Sequence, residues 1–322
     1  MRAIHISSLD GPKAAQVVET GAPEPGPGQV LIDVHVAGVS FPDVLLSRGE
    51  YQIKPEPPFV PGAEVAGVVR SAPADSSFAP GDRVAAFPAF GGFAEQVATD
   101  PRLVFPLPDG LSFEAGAALP MNYLTVHFGL VRRGRLRAGE TVLVHGAAGG
   151  VGTAGIQLAR ALGARVLAVV STPEKGEVAK EAGAHEAVLA EGFRQSVADL
   201  TDGRGVDLVL DPVGGDRFTD SLRSLATEGR LLVVGFTGRE IPTVKVNRLL
   251  LNNIDVVGVS WGGFWMPRPE YLREQWNDLL PHLASGALDP VLGAQYPLES
   301  TPDALRDLDE RRATGKILIR LR

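Results

Sequence analysis

Residues 141–152 run Thr-Val-Leu-Val-His-Gly-Ala-Ala-Gly-Gly-Val-Gly and leave this chain little choice of fold. Residues 141–144 are apolar and largely β-branched, as a buried strand requires. Gly146, Gly149, Gly150 and Gly152 then crowd a single turn. Residues 153–162 are rich in Ala and Leu and predict a helix, closed by Gly163 at C′. A second apolar strand at 164–170 completes the unit within the expected span of about 30 residues. Without Cβ atoms such a turn brings the helix N-terminus against a pyrophosphate, whose charge the free N–H groups and the helix dipole stabilise. The unit therefore predicts a dinucleotide site on the backbone of Ala148, Gly149, Gly150, Val151 and Gly152. The G-x-G-x-x-G fingerprint is incomplete, because Ala147 stands where its first glycine belongs.

At 322 residues the chain is long enough for two domains with ordinary cores. Its net charge of −7, with no basic tract, argues against nucleic acid or an anionic membrane as partner. No apolar run reaches transmembrane length, and the first residues lack the apolar stretch of a signal peptide, so a cytoplasmic protein is expected. Cysteine is absent, which excludes disulfides, a thiolate nucleophile and cysteine-ligated zinc.

Residues 1 to about 120 have the texture of a β-rich domain. Short apolar runs at 17–18, 30–39, 62–70, 81–85 and 95–98 are broken by Pro and Gly, which predicts a small, irregular barrel. Residues 115–132 read as helical, interrupted at Pro120. Strands at 186–189, 206–210, 230–234 and 254–259 then alternate with helices at 173–182, 193–200 and 216–225. That alternation predicts a parallel sheet covered on both faces. Residues 269–284 form one more predicted helix, and 316–321 a strand returning to the first domain.

These residues resemble a known family. Ala-Gly-Val-Ser-Phe-Pro-Asp at 37–43, Pro-Gly-Ala-Glu-Val-Ala-Gly at 61–67, Gly-Asp-Arg-Val at 81–84, the glycine turn, and Arg-Ala-Thr-Gly-Lys at 312–316 carry the likeness along the whole chain. The chain resembles the zinc-independent medium-chain dehydrogenase/reductase proteins, and within them the NADPH-dependent quinone oxidoreductases. The resemblance implies an α/β fold, a Rossmann-type doubly wound parallel sheet inserted in a GroES-like β-rich catalytic domain. It implies a catalytic domain at 1–121, a dinucleotide domain at 122–261 and a return at 262–322, with the active site in the cleft between them. Zinc enzymes of this superfamily place a metal-binding histidine before the glutamate of Gly-His-Glu. Here that place is Ala63, and the cysteine-rich structural-zinc loop is missing, so no metal site is expected.

The nucleotide can be read at the end of the second strand. NAD enzymes of this class place a carboxylate there, on the ribose hydroxyls. This chain has Ser171 and, four residues on, Lys175. A hydroxyl and an ammonium suit the 2′-phosphate of NADPH; the alternative, compatible with it, is that Ser171 caps the next helix and Lys175 faces solvent. The resemblance adds Arg312 as a phosphate contact, whereas the tyrosine many relatives use after the third strand falls near Ala190.

Without a metal, the cofactor carries the chemistry and the protein orients it. A hydride leaving the nicotinamide for a quinone or a conjugated carbonyl makes an oxyanion that needs donors. The candidates are Ser40, Tyr51, Asn122 and Thr125, of which Asn122 could instead cap a helix and Tyr51 face water. Ser40 stands where many quinone reductases carry asparagine. Asp211 ends a strand at the ligand-binding edge or caps the helix after it, and Gly235 and Phe236 are expected to line the nicotinamide site. Phe41, Phe90, Trp261 and Phe264 are aromatic candidates for a flat-substrate pocket. The family pairs the edge strand at 252–259 between subunits, which implies a homodimer and covers an edge otherwise prone to aggregate. An enone or enoyl double-bond reductase and a non-catalytic NADPH-binding protein are the competing readings.

Overall fold

The computed structural model describes residues 1–322. The chain divides into two compact units. The first contains Met1–Met121, Pro269–Asn277 and Leu292–Arg322; the second contains Asn122–Arg268 and Asp278–Val291. Residues 262–268 and 278–291 thus join the nucleotide unit rather than the return. Gln157 ties the 278–291 segment there: its amide donates to the Asp289 carbonyl at 2.5 Å and accepts from the Asp289 N–H at 3.0 Å.

In the first unit, β1 (Arg2–Ile6) pairs antiparallel with β2 (Ala15–Glu19). A larger sheet follows from β3 (Val30–Gly38), β4 (Glu64–Ser71), β5 (Arg83–Ala86), β6 (Gln96–Thr99) and β7 (Val104–Pro106). The short helices α1 (Phe41–Ser47) and α2 (Phe113–Ala118) interrupt and follow these strands. Ile4, Ile32, Val65, Val84, Phe93 and Ile319 lie in one apolar cluster, each fully buried. Burial of this kind, about 25 cal/mol per Å² of apolar surface, is the main force holding the sheet together.

The helix α3 (Pro120–His127) begins at Pro120, where proline's missing N–H costs nothing, and continues as a π-helical stretch, Phe128–Arg133. The second unit then alternates as expected. It runs β8 (Thr141–Val144), α4 (Gly150–Ala161), β9 (Arg165–Val170), α5 (Pro173–Glu181), β10 (Glu186–Leu189), α6 (Phe193–Leu200), β11 (Val206–Asp211), α7 (Phe218–Arg223) and β12 (Leu225–Val233). After α8 (Asn247–Asn252) comes the edge strand β13 (Asp255–Gly258). The strands are all parallel, in the order β10-β9-β8-β11-β12-β13. The winding direction reverses between β8 and β11, so the carboxyl ends of those two strands form the crevice where ligands bind in such sheets.

Three expectations are corrected here. The helix of the glycine turn starts at Gly150, not 153, so the last glycines already form its first turn. The helix expected over 216–225 ends at Arg223, because Leu225 is already paired with Val206 in the sheet. The edge strand is shorter than 252–259, since Asn253 adopts a left-handed φ of 49° that ends α8.

The chain closes with α9 (Trp261–Trp265), α10 (Glu270–Ala284), β14 (Leu292–Pro297), α11 (Thr301–Asp309) and β15 (Lys316–Arg320). As expected, β15 returns to the first unit, pairing antiparallel with β3.

Candidate cofactor and active site

The glycine turn of the second unit is built by backbone constraint. The left-handed residue is Gly146, φ 59°, so Ala147 one place later needs no glycine. Ala147 N–H donates to Val169 O at 3.3 Å, tying the turn to β9, and Gly149 N–H closes back on Gly146 O at 3.0 Å. A Cβ at Gly152 would lie 2.2 Å from Gly146 O, and one at Gly150 would lie 2.4 Å from Asn122 Nδ2. At Gly152 the clash is with backbone and admits nothing larger than hydrogen, whereas at Gly150 a Cβ would have to displace the Asn122 side chain. The N–H groups of Gly150, Val151 and Gly152 are the first of α4 and by helix geometry have no acceptor within it. They sit at the dipole's positive end, which suits a pyrophosphate.

At the end of β9, Thr172 and not Ser171 caps α5, accepting from Lys175 N–H at 3.4 Å. Ser171 is exposed, and no carboxylate replaces it at the strand end. Asp211, at the end of β11, does not cap α7. Its Oδ1 accepts from Val213 N–H and Gly214 N–H, both at 2.9 Å, which closes the following turn. The loop holding Gly235 and Phe236 is laced onto that turn, with Thr237 N–H on Pro212 O and Gly238 N–H on Val213 O. Asn122 lies within α3, 5 % exposed, with its side chain against the bare Cα of Gly150. Thr125, one turn on, is half-buried.

His145, between β8 and the turn, is buried beside Asp211. Its Nε2 lies 2.8 Å from Ser221 Oγ, which itself donates to Arg217 O at 3.0 Å. Nε2 therefore carries the ring proton, and Nδ1 has no partner. Burial holds the ring neutral and pushes its pKa down to about 4.

Of the aromatic candidates in this unit, Trp261 is 5 % exposed, its ring 5.8 Å from that of Trp265. Phe264 is half-buried, with the guanidinium groups of Arg132 and Arg268 at 4.5 and 4.8 Å from its ring centre.

The first unit holds a buried charged cluster. Ser40 precedes α1 and is 6 % exposed. Its Oγ donates to Glu64 Oε1 at 2.9 Å and accepts from Lys316 Nζ at 2.7 Å. Lys316 also pairs with Glu64 Oε1, while Glu64 Oε2 accepts from Met121 N–H at 2.7 Å. Asp43, in the first turn of α1, accepts from Ser40 N–H at 2.8 Å and Gly62 N–H at 3.1 Å. Its complete burial pushes its carboxyl up to about 6. Tyr51, half-buried, is also pushed up, by burial and by Asp43. Phe41 and Phe90 are half-buried as well. Arg312 is exposed and held by Asp307, at 2.5 Å, and by Glu310.

Ser40, Tyr51 and Asp43 thus share one unit, and Asn122, Thr125, the turn, Ser171, Lys175 and Asp211 share the other. Sequence reasoning did not single out Glu64, Lys316 or His145 as site residues. The first two stand in the motifs Gly-Ala-Glu and Thr-Gly-Lys, which was the available signal. Neither unit contains three or more His, Asp or Glu side chains grouped so as to hold a metal ion.

A six-stranded parallel sheet with a glycine turn at its winding reversal, in a chain that also carries a β-rich GroES-like unit, defines a pyridine-nucleotide oxidoreductase fold. Family profiles agree: residues 26–109 match the alcohol dehydrogenase GroES-like domain and 150–285 match the zinc-binding dehydrogenase family. Among relatives, the quinone oxidoreductase-like protein 2 of Rattus norvegicus is 40 % identical, over 100 % of this chain and 92 % of its own length. A probable oxidoreductase from Mycobacterium abscessus superposes with a TM-score of 0.92 at 46 % identity, covering 100 % of this chain and 99 % of its own. The quinone oxidoreductase of Thermus thermophilus, solved alone and with NADPH, gives 0.86 at 38 % identity over all of both chains. The chain belongs to the medium-chain dehydrogenase/reductase family, in its quinone oxidoreductase branch.

Proposed function

We propose that the protein is an NADPH-dependent quinone oxidoreductase working by hydride transfer without a metal ion. The observation that carries this reading is the pairing of the bare α4 N-terminus with an acid-free end of β9, where Ser171 and Lys175 stand in place of the carboxylate of NAD enzymes. Bound there, NADPH supplies a hydride from nicotinamide C4. The chain's own residues do the rest. Gly150, Val151 and Gly152 bind the pyrophosphate through backbone N–H groups, and Ser171 and Lys175 meet the 2′-phosphate. Asn122 and Thr125 on α3 donate to the oxygen that gains charge as the quinone is reduced. Ser40 is not among those donors, because its hydroxyl already donates its one proton in a hydrogen bond to Glu64. Phe264 offers a flat apolar face to an aromatic acceptor. The buried Trp261 belongs to the core instead.

A homodimer follows from the same reading. The sheet ends at β13, and the preceding α8 exposes Leu250 and Leu251 at 76 and 73 %. Pairing two β13 edges would cover both features.

The test is NADPH oxidation with 1,4-benzoquinone, 9,10-phenanthrenequinone and a set of enones. Quinone turnover is expected. Turnover of enones alone would move the assignment to double-bond reduction, and no turnover with intact NADPH binding would make this a binding protein. Lys175→Glu should raise the Kd for NADPH about tenfold and spare NADH; equal losses for both nucleotides would remove Lys175 from the phosphate site.

A further inference from the structure

Glu64 uses both of its oxygens, and they serve different elements. Oε1 takes the Lys316 ammonium and the Ser40 hydroxyl, and Oε2 takes the N–H of Met121. Met121 is the second residue of α3, so its N–H has no acceptor within the helix. Pro120 before it has no N–H at all. Glu64 is therefore the side chain that satisfies the first donor of α3.

The proton inventory of this cluster allows one arrangement. Lys316 has donors only, so Ser40 Oγ must accept from it, and the single serine proton goes to Glu64. Glu64 is 0 % and Lys316 3 % exposed. The backbone makes room for them at Gly38, where a Cβ would lie 2.7 Å from Lys316 Cε and 2.8 Å from Glu64 Cγ. Stability alone does not account for such a pair, because buried ion pairs can commonly be replaced by apolar groups without loss.

We infer that the Glu64–Lys316 pair, with Ser40, is a positioning device for the first turn of α3, the turn that leads into Asn122 and Thr125. It acts through the Met121 N–H and touches no substrate. Donors to a developing oxyanion work only when held close to the productive geometry, and a displacement of about 1 Å can cost about a hundredfold in rate. The inference rests on the reading that α3 carries those donors.

The experiment compares three variants with wild type: Lys316→Met, Glu64→Gln, and Glu64→Leu with Lys316→Met together. Thermal stability, the Kd for NADPH, kcat with 1,4-benzoquinone, and hydrogen exchange of the α3 amides are read for each. Lys316→Met strands a buried carboxylate and should lower Tm sharply. The double variant should regain Tm, because it buries no charge. It should nonetheless exchange faster at the start of α3 and keep a kcat about a hundredfold below wild type, with NADPH affinity changed by no more than about threefold. A double variant with wild-type kcat and wild-type exchange would reduce the pair to a structural contact and overturn the inference. If the double variant does not fold, Glu64→Gln decides on the same readings, since it keeps the volume and loses the charge. Should wild type itself reduce no quinone, the substrate assignment fails, and the exchange data alone decide the role of Glu64.

Discussion

The glycine turn of the second unit and the Ser40–Glu64–Lys316 cluster of the first are both dense, buried and intolerant of added atoms, yet they are made in opposite ways. The turn is a backbone device. Its residues are neighbours in sequence, and its chemistry comes from N–H groups that no side chain covers. The cluster is a side-chain device. It joins Ser40 to Glu64 across 24 positions, and Lys316 to Glu64 and Ser40 across 252 and 276. The difference teaches where tolerance should lie. A backbone device fails when a Cβ is added, and a side-chain device fails when a charge loses its partner.

The sharpest way to break the first half of the comparison is Gly152→Ala. The new Cβ would sit 2.2 Å from Gly146 O, a backbone atom that cannot swing aside. The turn must open, and NADPH affinity should fall about a hundredfold or more, near 2.7 kcal/mol. Gly149→Ala separates crowding by the protein from crowding by the ligand. Its Cβ would meet nothing nearer than Gly146 O at 3.4 Å, so stability should hold while NADPH binds more weakly. Fluorescence titration alongside thermal melts reads both effects. Intact NADPH affinity in Gly152→Ala would show that the turn is not the phosphate site.

The same question in the first unit is put by Gly38→Ala. Here the Cβ would lie 2.4 Å from Ala117 O as well as against Lys316 and Glu64. Overpacking of this kind costs about 2 to 3 kcal/mol. Urea unfolding should show that loss, and the pyrophosphate end of the cofactor should bind as before. Unchanged stability would mean that the cluster is looser than its distances imply.

The contrast also explains what could be read from the chain and what could not. The βαβ unit was legible because periodicity, turn chemistry and capping act over adjacent residues. Residues 186–189 and 193–200 fall where expected for this reason. The start of α4 was misplaced because glycines read as turn, although Gly150 and Gly152 already have helical geometry. Ser171 was a plausible cap by type, but Thr172 beside it fits the N-cap geometry of α5. Ser40 looked like a free donor because nothing local reveals Glu64 or Lys316 beside it. Only the pairing of β15 with β3, and of β3 with β4, brings those residues together. Trp261 looked like pocket lining because an aromatic side chain carries the same signal in a core as at a site.

The smallest effect expected tests the comparison through protons, at His145 beneath the glycine turn. Its ordinary pKa is 6.5, and burial lowers it to about 4 in the folded protein. Below pH 6.5 the unfolded chain takes up a proton that the folded ring resists, so stability is present above that pH and is lost as pH falls towards 4. At pH 5 the loss from this one group should be about 2 kcal/mol. Asp43 in the first unit runs the other way. Its folded pKa is raised from 3.8 to about 6, so its contribution falls as pH rises through that window. In His145→Gln, which keeps a polar group near Ser221 and cannot titrate, the urea midpoint at pH 5.0 should therefore rise relative to that at pH 7.5, compared with the same difference in wild type. A pH dependence equal to that of wild type would mean that the buried ring is not what acid attacks first, and that the turn rests on its backbone alone.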